Sequence, residues 1–525
     1  MFPIEIFAAM LAVVAVLAAV AMRARIPYPV VLVLGGLALA AIPGLPVPRL
    51  DPELIFLGFL PPLVYSAAFL SSSYELADNV LPIGTLAVGL VLATMAVIAV
   101  LGHFVVGLGW SVAAVLGAIV APTDPVAATA VARRLTAPDR LVTILEGEAL
   151  VNDGTGLTAY TVALGAVGAA FSIGHAALQL VEIVAGGVAI GVAVGWLFAR
   201  LRRLGDDPRL EITLSLLTPW AAYLPADRIG ASGVLAAVTA GLWVGRQAQE
   251  IAPAPTRIQA QAFWELLTFL LNSTLFLLIG LQLRQIVSGL APGQAWSLTG
   301  GAVAIAVGLM LLRLAWMAVG ARRFGLAPQR GESGARLNLR AHLVLGWCGM
   351  RGGVSLAAAL AIPIAMHGSP FPHRSAVLLL TYTTIIATLV LPGLTLPSLI
   401  TRLGLGQGKE RRREELEARI HLTHAALSRL EEMAEDGFDG DEGHLGGVRA
   451  IYEARLETLH NRLEAEGDER GEEDDPAQVR EIRRDVLAAQ REALGSLRGD
   501  RKLPDSILRE LEHDLDLEES RLTRT

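Results

Sequence analysis

The stretch "WSVAAVLGAIVAPTDPVAATAVARR", residues 110–134, is an apolar run of membrane-spanning length that is interrupted at its centre by two prolines and an acid. A bilayer core about 30 Å thick requires about 20 apolar residues per helix. Pro122 and Pro125 cannot donate backbone hydrogen bonds, and each disfavours helical backbone in the preceding residue. We therefore predict two half-helices that meet within the membrane, with Asp124 as the N-cap and Pro125 at the first helical position of the second. The alternative is a simple proline kink.

The rest of the chain has the composition of a membrane protein. Hydrophobic residues make up 53% of its 525 residues, and its mean hydropathy is +0.52. The first apolar segment lacks the basic flank of a cleavable signal and is predicted to be a retained helix. Thirteen apolar segments are predicted to be transmembrane helices, at residues 3–21, 27–43, 52–70, 80–107, 111–132, 141–169, 176–199, 210–224, 230–245, 260–283, 297–320, 341–365 and 375–400. The sequence therefore predicts an all-α membrane protein, with a transmembrane domain at residues 1–401.

The basic residues between these segments predict the orientation of the chain. With the N-terminus outside, the inside loops carry 21 Arg and Lys, whereas the outside loops carry only Arg49, Arg228, Arg284 and Arg374. Loops on the cytoplasmic side of a membrane are enriched in Lys and Arg. We therefore expect a multi-pass protein of the cell (inner) membrane with its N-terminus outside and its C-terminal tail in the cytoplasm.

The helix count also predicts internal symmetry. Thirteen helices divide into six, one linker and six, and an odd linker inverts the second six relative to the first, as in inverted-repeat transporters. Helices 5 and 12 would then correspond. Helix 12, "AHLVLGWCGMRGGVSLAAALAIP" at residues 341–363, has glycines on both sides of Arg351 and is predicted to be broken there as well. The predicted fold is therefore two inverted six-helix repeats with broken helices 5 and 12.

Residues 402–525 form an acidic tail that carries a net charge of −11. Apolar residues recur at helical intervals in residues 448–463 and again in residues 479–497, which predicts two amphipathic helices joined by acidic linkers. We expect a cytosolic helical appendage that packs or dimerises. The alternative is a ligand-sensing domain.

Helix 6 carries acids where a membrane span should be apolar, in "EGEALVNDGTGLTAY" at residues 146–160. Glu148 and Asn152 are one helical turn apart and share a face, whereas Asp153 lies about 140° round the helix from Glu148. Arg313 of helix 11 lies roughly 13 Å deep, where an unpaired guanidinium is costly. We expect Glu148 to be its partner.

The two acids should therefore have different roles. A buried carboxylate without a fixed partner can bind either a proton or a small metal ion. Oxygen ligands suit Na⁺, and backbone carbonyls freed at Thr123 could complete a site around Asp153. The alternative is that all the acids, including Glu146, form structural ion pairs; Glu146 itself is expected to be structural.

Together, "TDPVAA" (residues 123–128), "EGEALVND" (146–153), Arg313 and "GMRGGVSLAAAL" (349–360) resemble the bacterial branch of the monovalent cation:proton antiporter family 1, the sodium/proton exchangers. The segment at residues 263–283 and the tail end "LDLEESRL" resemble that branch too. The resemblance covers essentially the whole chain. It implies a homodimer with a dimer domain and a six-helix core, crossing of helices 5 and 12 at their unwound centres, and elevator-type alternating access.

The resemblance also implies residue roles. Asp153 matches the ion-binding carboxylate and Asn152 its neighbour, while Thr123 and Asp124 match the unwound site in helix 5. Glu148 and Arg313 match an ion pair, and Arg351 matches an arginine near the helix-5 break. Ala149 departs from the serine of many relatives. Electrogenic relatives carry two adjacent carboxylates where this chain has Asn152 and Asp153, so we expect electroneutral exchange of one Na⁺ (or Li⁺) for one H⁺.

The sequence also leaves alternatives to sodium/proton exchange. A K⁺/H⁺ antiporter is the alternative within transporters, and a channel or receptor fits buried titratable acids less well. The segment "GASG" at residues 230–233 resembles a rhomboid-protease motif, and Asp124 with Asp153 could imitate an aspartyl pair. No histidine offers an obvious base, so a transporter is predicted rather than an enzyme. Expected partners are Na⁺, H⁺, membrane lipid and a second copy of the chain, with no cofactor and no nucleic acid.

Overall fold

The computed structural model describes most of the chain and is almost entirely helical where it does so. The described residues are 4–45, 52–167, 173–202, 207–251, 253–288, 294–323, 339–366, 369–406, 408–435, 442–467, 486, 488–490, 493 and 515. A two-stranded antiparallel hairpin, β1 (Ala365–Met366) and β2 (Ser369–Pro370), is the sheet structure found within these ranges.

The helices follow one another with short connections. In the first half of the chain they are α1 (Ile4–Ala24), α2 (Tyr28–Ala40), α3 (Leu60–Leu70), α4 (Ser73–Asp78), α5 (Val80–Gly84), α6 (Val91–Phe104), α7 (Trp110–Val120), α8 (Val126–Arg134), α9 (Asp139–Gly165) and α10 (Ile173–Arg202). In the second half they are α11 (Pro208–Arg228), α12 (Gly233–Ile251), α13 (Ala254–Leu281), α14 (Leu283–Ser288), α15 (Gln294–Arg323), α16 (Leu339–Trp347), α17 (Gly353–Leu360), α18 (Arg374–Arg402), α19 (Gly408–Glu435) and α20 (Glu442–Gly467). Wider π-helical turns, Leu54–Phe59 and Thr85–Leu90, lead into α3 and α6.

Several of these helices could cross a membrane. Within the described ranges six are long and apolar enough to do so: Glu5–Ala24, Val80–Phe104, Ala176–Arg202, Ala254–Ser288, Leu298–Gly320 and Arg374–Arg402. Shorter apolar helices are Tyr28–Ala40, Leu54–Leu70 and Trp110–Val120. Each of the thirteen predicted segments contains helix, but the count of thirteen spans and the inverted repeats remain predictions.

Close helix packing depends on glycine at particular contacts. A Cβ on Gly36 of α2 would lie 2.5 Å from the carbonyl oxygen of Leu277 in α13, and a Cβ on Gly117 of α7 would lie 2.5 Å from that of Met95 in α6. Such distances are too short for any side chain, so only glycine permits these backbones to approach. The resulting contacts hold α7, and with it the helix-5 break, against the rest of the core.

The chain divides into two compact units, residues 1–407 and 408–525. In the second unit α19 packs against α20. The first predicted amphipathic segment lies in α20, where Leu459 is buried and Tyr452, Leu456 and Leu463 are half-buried, while Val448 is exposed. The second segment, residues 479–497, lies largely outside the described residues.

Candidate functional site

The helix-5 segment is interrupted as its prolines require. α7 ends at Val120 and α8 begins at Val126, one residue later than predicted, with Pro125 preceding the first helical residue. Asp124 still caps the second half, because its Oδ1 accepts a hydrogen bond from the backbone N–H of Val126 at 3.0 Å. This bond satisfies one of the helix-start donors that lack a partner within the helix.

A second interruption lies directly against the first. α16 ends at Trp347 and α17 begins at Gly353. The backbone N–H of Asp124 donates to the carbonyl oxygen of Met350 at 2.8 Å, so the two unwound stretches are joined by a main-chain hydrogen bond. A Cβ on Gly352 would overlap the Asp124 carboxylate, which means that glycine is required at this contact.

Two buried arginines bind the carbonyl groups that the broken helices leave without partners. Arg351 donates from Nε to the carbonyl oxygen of Val120 at 3.0 Å and from Nη1 to that of Gly349. Arg313 donates from Nε to the carbonyl oxygen of Leu345 at 3.0 Å. Carbonyl groups at helix ends carry partial negative charge, so a guanidinium stabilises them. These arginines are therefore part of what allows irregular backbone inside an apolar core.

Arg313 and Glu148 form a two-pronged ion pair. Nη1 and Nη2 of Arg313 lie 2.5 Å and 2.7 Å from Oε1 and Oε2 of Glu148, and the two side chains are 2% and 3% exposed. The hydroxyl of Thr123 donates to Oε1 of the same carboxylate at 2.8 Å. Both oxygens of Glu148 are thus engaged, and its charge is neutralised by a fixed cation.

Asn152 extends this network to the helix-5 break. Its Nδ2 donates to the carbonyl oxygen of Thr123 at 3.1 Å and to Oγ1 of Thr123 at 2.8 Å. Only the NH₂ group can donate to a carbonyl, so this contact fixes the orientation of the amide. The amide oxygen Oδ1 is buried and has no hydrogen-bond partner among the described residues. An oxygen in that position is available to a cation or a water molecule.

Asp153 lies outside this network, on the wall of a cavity of about 360 Å³ that we call the Asp153 cavity. Asp153 is half-buried and has no hydrogen-bond or ion-pair partner in the described part of the chain. The predicted site residues Thr123 and Asp124 also line the cavity, as does Ala149, which contributes no hydroxyl there. Glu148, Asn152, Arg313 and Arg351 do not line it.

The Asp153 cavity extends along α8 and α9 to the last turn of α8. Arg133, in the last turn of α8, pairs with Glu146 of α9 at 2.6 Å, and both side chains line the cavity. Arg133 is 67% exposed and Glu146 26% exposed, so this pair lies where the cavity approaches solvent. The cavity therefore connects the unpaired acid to one end of α8.

Several cavity residues were not predicted from the sequence. Tyr28, Asn272 and Ser355 line the cavity with the two acids. Asn272 could have been found, because it interrupts the apolar run "FLLNSTLFLL" at residues 269–278. Tyr28 carries no such signal, since it begins a short helix and approaches the cavity only through the fold.

The protease-like segment has a structural role. Oγ of Ser232 accepts a hydrogen bond from the backbone N–H of Leu235 at 3.3 Å, at the start of α12. The side chain is 8% exposed. This is the arrangement of a helix-capping serine rather than of an accessible nucleophile.

Comparisons with known proteins identify the family of the chain. Residues 9–402 match the family described as "Sodium/hydrogen exchanger, transmembrane". A protein of Mycobacterium tuberculosis named as an uncharacterized Na⁺/H⁺ exchanger is 33% identical over 530 residues, covering 99% of this chain and 96% of that protein. A sodium, potassium, lithium and rubidium/H⁺ antiporter of Bacillus pumilus is 35% identical over 414 residues, covering 75% of this chain and 61% of that protein.

A similar fold is also found among solved structures. The sodium proton antiporter MjNhaP1 from Methanocaldococcus jannaschii superposes with a TM-score of 0.62 and 19% sequence identity, covering 77% of this chain and 98% of that chain. At this level of identity the likeness shows the fold alone.

Proposed function

This chain belongs to the sodium/hydrogen exchanger family and is a multi-pass membrane transporter, and we propose that it exchanges Na⁺ (or Li⁺) for H⁺ at Asp153. The observation that carries this assignment is that the Asp153 carboxylate is unpaired among the described residues. Asp153 has no partner in the described part of the chain and lines a cavity that contains a second acid, Asp124, and reaches the Arg133–Glu146 pair. Glu148, the other deeply placed acid of α9, is already neutralised by Arg313.

The surroundings of Asp153 supply oxygen atoms for a small hard cation. The carboxylates of Asp153 and Asp124 line the cavity with Thr123, and the adjacent amide oxygen of Asn152 lacks a partner. Hard cations favour carboxylate, amide and carbonyl oxygens. Because a single carboxylate cannot hold a proton and a cation together, binding of one ion at Asp153 releases the other.

The same arrangement supports electroneutral exchange, one Na⁺ for one H⁺. Glu148 accepts two hydrogen bonds from Arg313 and one from Thr123, so both of its oxygens are already paired and we assign it no part in the exchange. Asp124 is engaged at Oδ1 as the cap of α8, so one of its two oxygens already has a protein partner. Asp153 is then the one carboxylate that binds Na⁺ and H⁺ in turn. One Na⁺ moves in one direction for each H⁺ that moves in the other.

We propose that this site works by alternating access. Asp153 and residues of the two helix interruptions line a cavity that reaches one end of α8. In the elevator mechanism that we propose, the body holding the broken helices moves relative to the remaining helices and exposes Asp153 to the opposite side. The buried arginine contacts of Arg313 and Arg351 support this, because they make the interruptions part of one packed body.

The wider architecture that we propose is a homodimer of chains in the cell (inner) membrane. Each has thirteen spans at residues 1–401, two inverted six-helix repeats, the N-terminus outside and the tail, residues 402–525, in the cytoplasm. Support comes from the distribution of basic residues and from the boundary between compact units after residue 407. With this orientation the end of the Asp153 cavity at Arg133 faces the cytoplasm.

K⁺/H⁺ exchange is the second candidate, and a specific observation favours it. Ala149 lines the Asp153 cavity where a serine hydroxyl could bind a cation, and a site with fewer ligands discriminates less between Na⁺ and K⁺. The Bacillus pumilus relative is named for transport of sodium, potassium, lithium and rubidium. Ala149→Ser should then narrow selectivity toward the smaller ions.

The test is an antiport assay in proteoliposomes, with a pH-sensitive dye inside and Na⁺, Li⁺ or K⁺ added outside. The intact protein should show cation-dependent proton movement, and Asp153→Asn should reduce it to background. If exchange persists in Asp153→Asn, Asp153 is not the exchange site and Asp124 becomes the leading candidate. The stoichiometry is tested by measuring the exchange rate at several clamped membrane potentials. An exchange rate that depends on the potential contradicts one-for-one exchange. An intact protein inactive with all three cations would overturn the proposal.

A further inference from the structure

A second cavity, of about 560 Å³, lies on the other side of α8, and we call it the Arg25 cavity. Its walls come from the last turn of α1, the turn into α2, the second half of α8 and Pro397 of α18. Apart from Tyr28 and two arginines, Arg25 and Arg134, its described lining is apolar. The exchange reaction proposed above makes no use of this cavity.

The Arg25 cavity carries uncompensated positive charge. Neither arginine has an ion-pair partner among the described residues, and none of the described residues that line the cavity is Asp or Glu. Arg134 donates from Nη1 to the carbonyl oxygen of Arg25 at 3.0 Å, which holds the two residues together. Arg25 itself has a φ of 58°, a backbone conformation that favours glycine. Arg25 and Arg134 both line this cavity, and two arginines in one cavity can bind an anion with several oxygens, such as a phosphate.

The apolar part of the wall selects the source of that phosphate. Met22, Ile26 and Pro397 line the cavity together with the arginines. In the topology proposed above, on which this step rests, these residues lie near the cytoplasmic surface of the membrane. A soluble phosphate has no apolar group that could pack against these side chains. A phospholipid can pack its glycerol backbone and acyl chains against them. We propose that the Arg25 cavity binds the phosphate headgroup of an anionic phospholipid.

The position of this site connects it to the Asp153 cavity. Tyr28 and Ala130 line both cavities, and the consecutive residues Arg133 and Arg134 of α8 line different ones. The ring of Tyr28 also packs against Phe269, with centroids 5.5 Å apart. A bound headgroup therefore rests on the wall that the two cavities share and stabilises the arrangement of α2 and α8 seen here. This stabilisation can be measured as binding, independently of transport.

The experiment follows thermal unfolding of the full chain in neutral detergent as lipid is titrated. The probes are phosphatidylglycerol, phosphatidylcholine with the same acyl chains, and inorganic phosphate. Of these three probes, we expect only phosphatidylglycerol to raise the melting temperature. In Arg25→Gln/Arg134→Gln its apparent affinity should fall about tenfold or more, because two charge-assisted hydrogen-bond donors are lost. The control is Arg228→Gln/Arg284→Gln, which removes the same charge from residues that do not line this cavity and should keep the response.

Four results would overturn the proposal. An equal response to phosphatidylcholine shows a general lipid effect, and an equal response to inorganic phosphate shows a soluble-anion site. A phosphatidylglycerol response that survives in Arg25→Gln/Arg134→Gln, or that disappears equally in the control, shows that the cavity is not the site. If the double variant fails to fold, the single variant Arg25→Gln is tested in its place. The side chain of Arg25 has no hydrogen-bond partner in the described part of the chain, so this substitution breaks no hydrogen bond there.

Discussion

On one face of α9, Glu148 is 3% exposed and accepts hydrogen bonds from Arg313 and Thr123 at both of its oxygens. About one and a half turns further along, Asp153 faces a cavity and has no partner in the described residues. The two carboxylates belong to one helix and one apolar core, yet only one is neutralised. This difference in partners is the reason that we propose Asp153, and not Glu148, as the acid that exchanges its ion.

If this comparison is right, substitutions on the Glu148 side should lower stability, and those at Asp153 should abolish exchange with little effect on stability. Each variant is therefore compared by thermal unfolding in detergent and by antiport in proteoliposomes.

The largest loss of stability is expected for Arg313→Met. It leaves the Glu148 carboxylate buried without its cation, and breaking a buried pair in this way costs about 3–5 kcal/mol. The double variant Glu148→Leu/Arg313→Met should recover most of the melting temperature, because neither member of the pair is left as an unpaired buried charge. A double variant as unstable as the single one would contradict the ion pair as the origin of the loss.

Gly352→Ala should have the next largest effect. Its Cβ would overlap the Asp124 carboxylate, and forcing a methyl group into such a contact costs about 1–3 kcal/mol. Displacement of Asp124 should also slow exchange. Gly300→Ala is the matched control, because nothing lies within 4 Å of the added methyl group in α15. An equal loss in both variants would mean that the helix-break contact is not specific.

Thr123→Val should lower stability by about 1–2 kcal/mol, because it removes a hydrogen bond to Glu148 and another from Asn152 in a buried network. Thr123→Ser keeps the hydroxyl and should restore most of the melting temperature. If valine and serine behave alike, the hydroxyl does not contribute and the methyl group is what matters.

The smallest stability change is expected for Asp153→Asn, at about 0.5 kcal/mol or less, since no ion pair or hydrogen bond of the described structure is lost. Any Na⁺-dependent rise in melting temperature should disappear together with exchange, as binding to the folded state raises its stability. Asp153→Asn with a melting temperature as low as that of Arg313→Met would show that Asp153 is a structural acid.

Part of this site could be predicted residue by residue. The prolines at 122 and 125 require an interruption of the helix-5 segment, and the depth of Arg313 requires an acidic partner. Other features had no sequence signal. Tyr28 approaches the Asp153 cavity, and Arg133 meets Glu146, only because α2, α8 and α9 pack together. α8 starts at Val126, one residue later than predicted, although Asp124 caps it as expected.

By itself the sequence determined the apolar helices, their interruptions and the acids that lie among them, because hydropathy, proline geometry and helical periodicity are local properties. Periodicity placed Glu148 and Asp153 on different faces of one helix but could not say what each face meets. Only the tertiary structure decided that Arg313, 165 positions away, neutralises Glu148 and that a cavity remains beside Asp153. Contacts between residues so distant in sequence depend on how all the helices pack, and no local pattern encodes them.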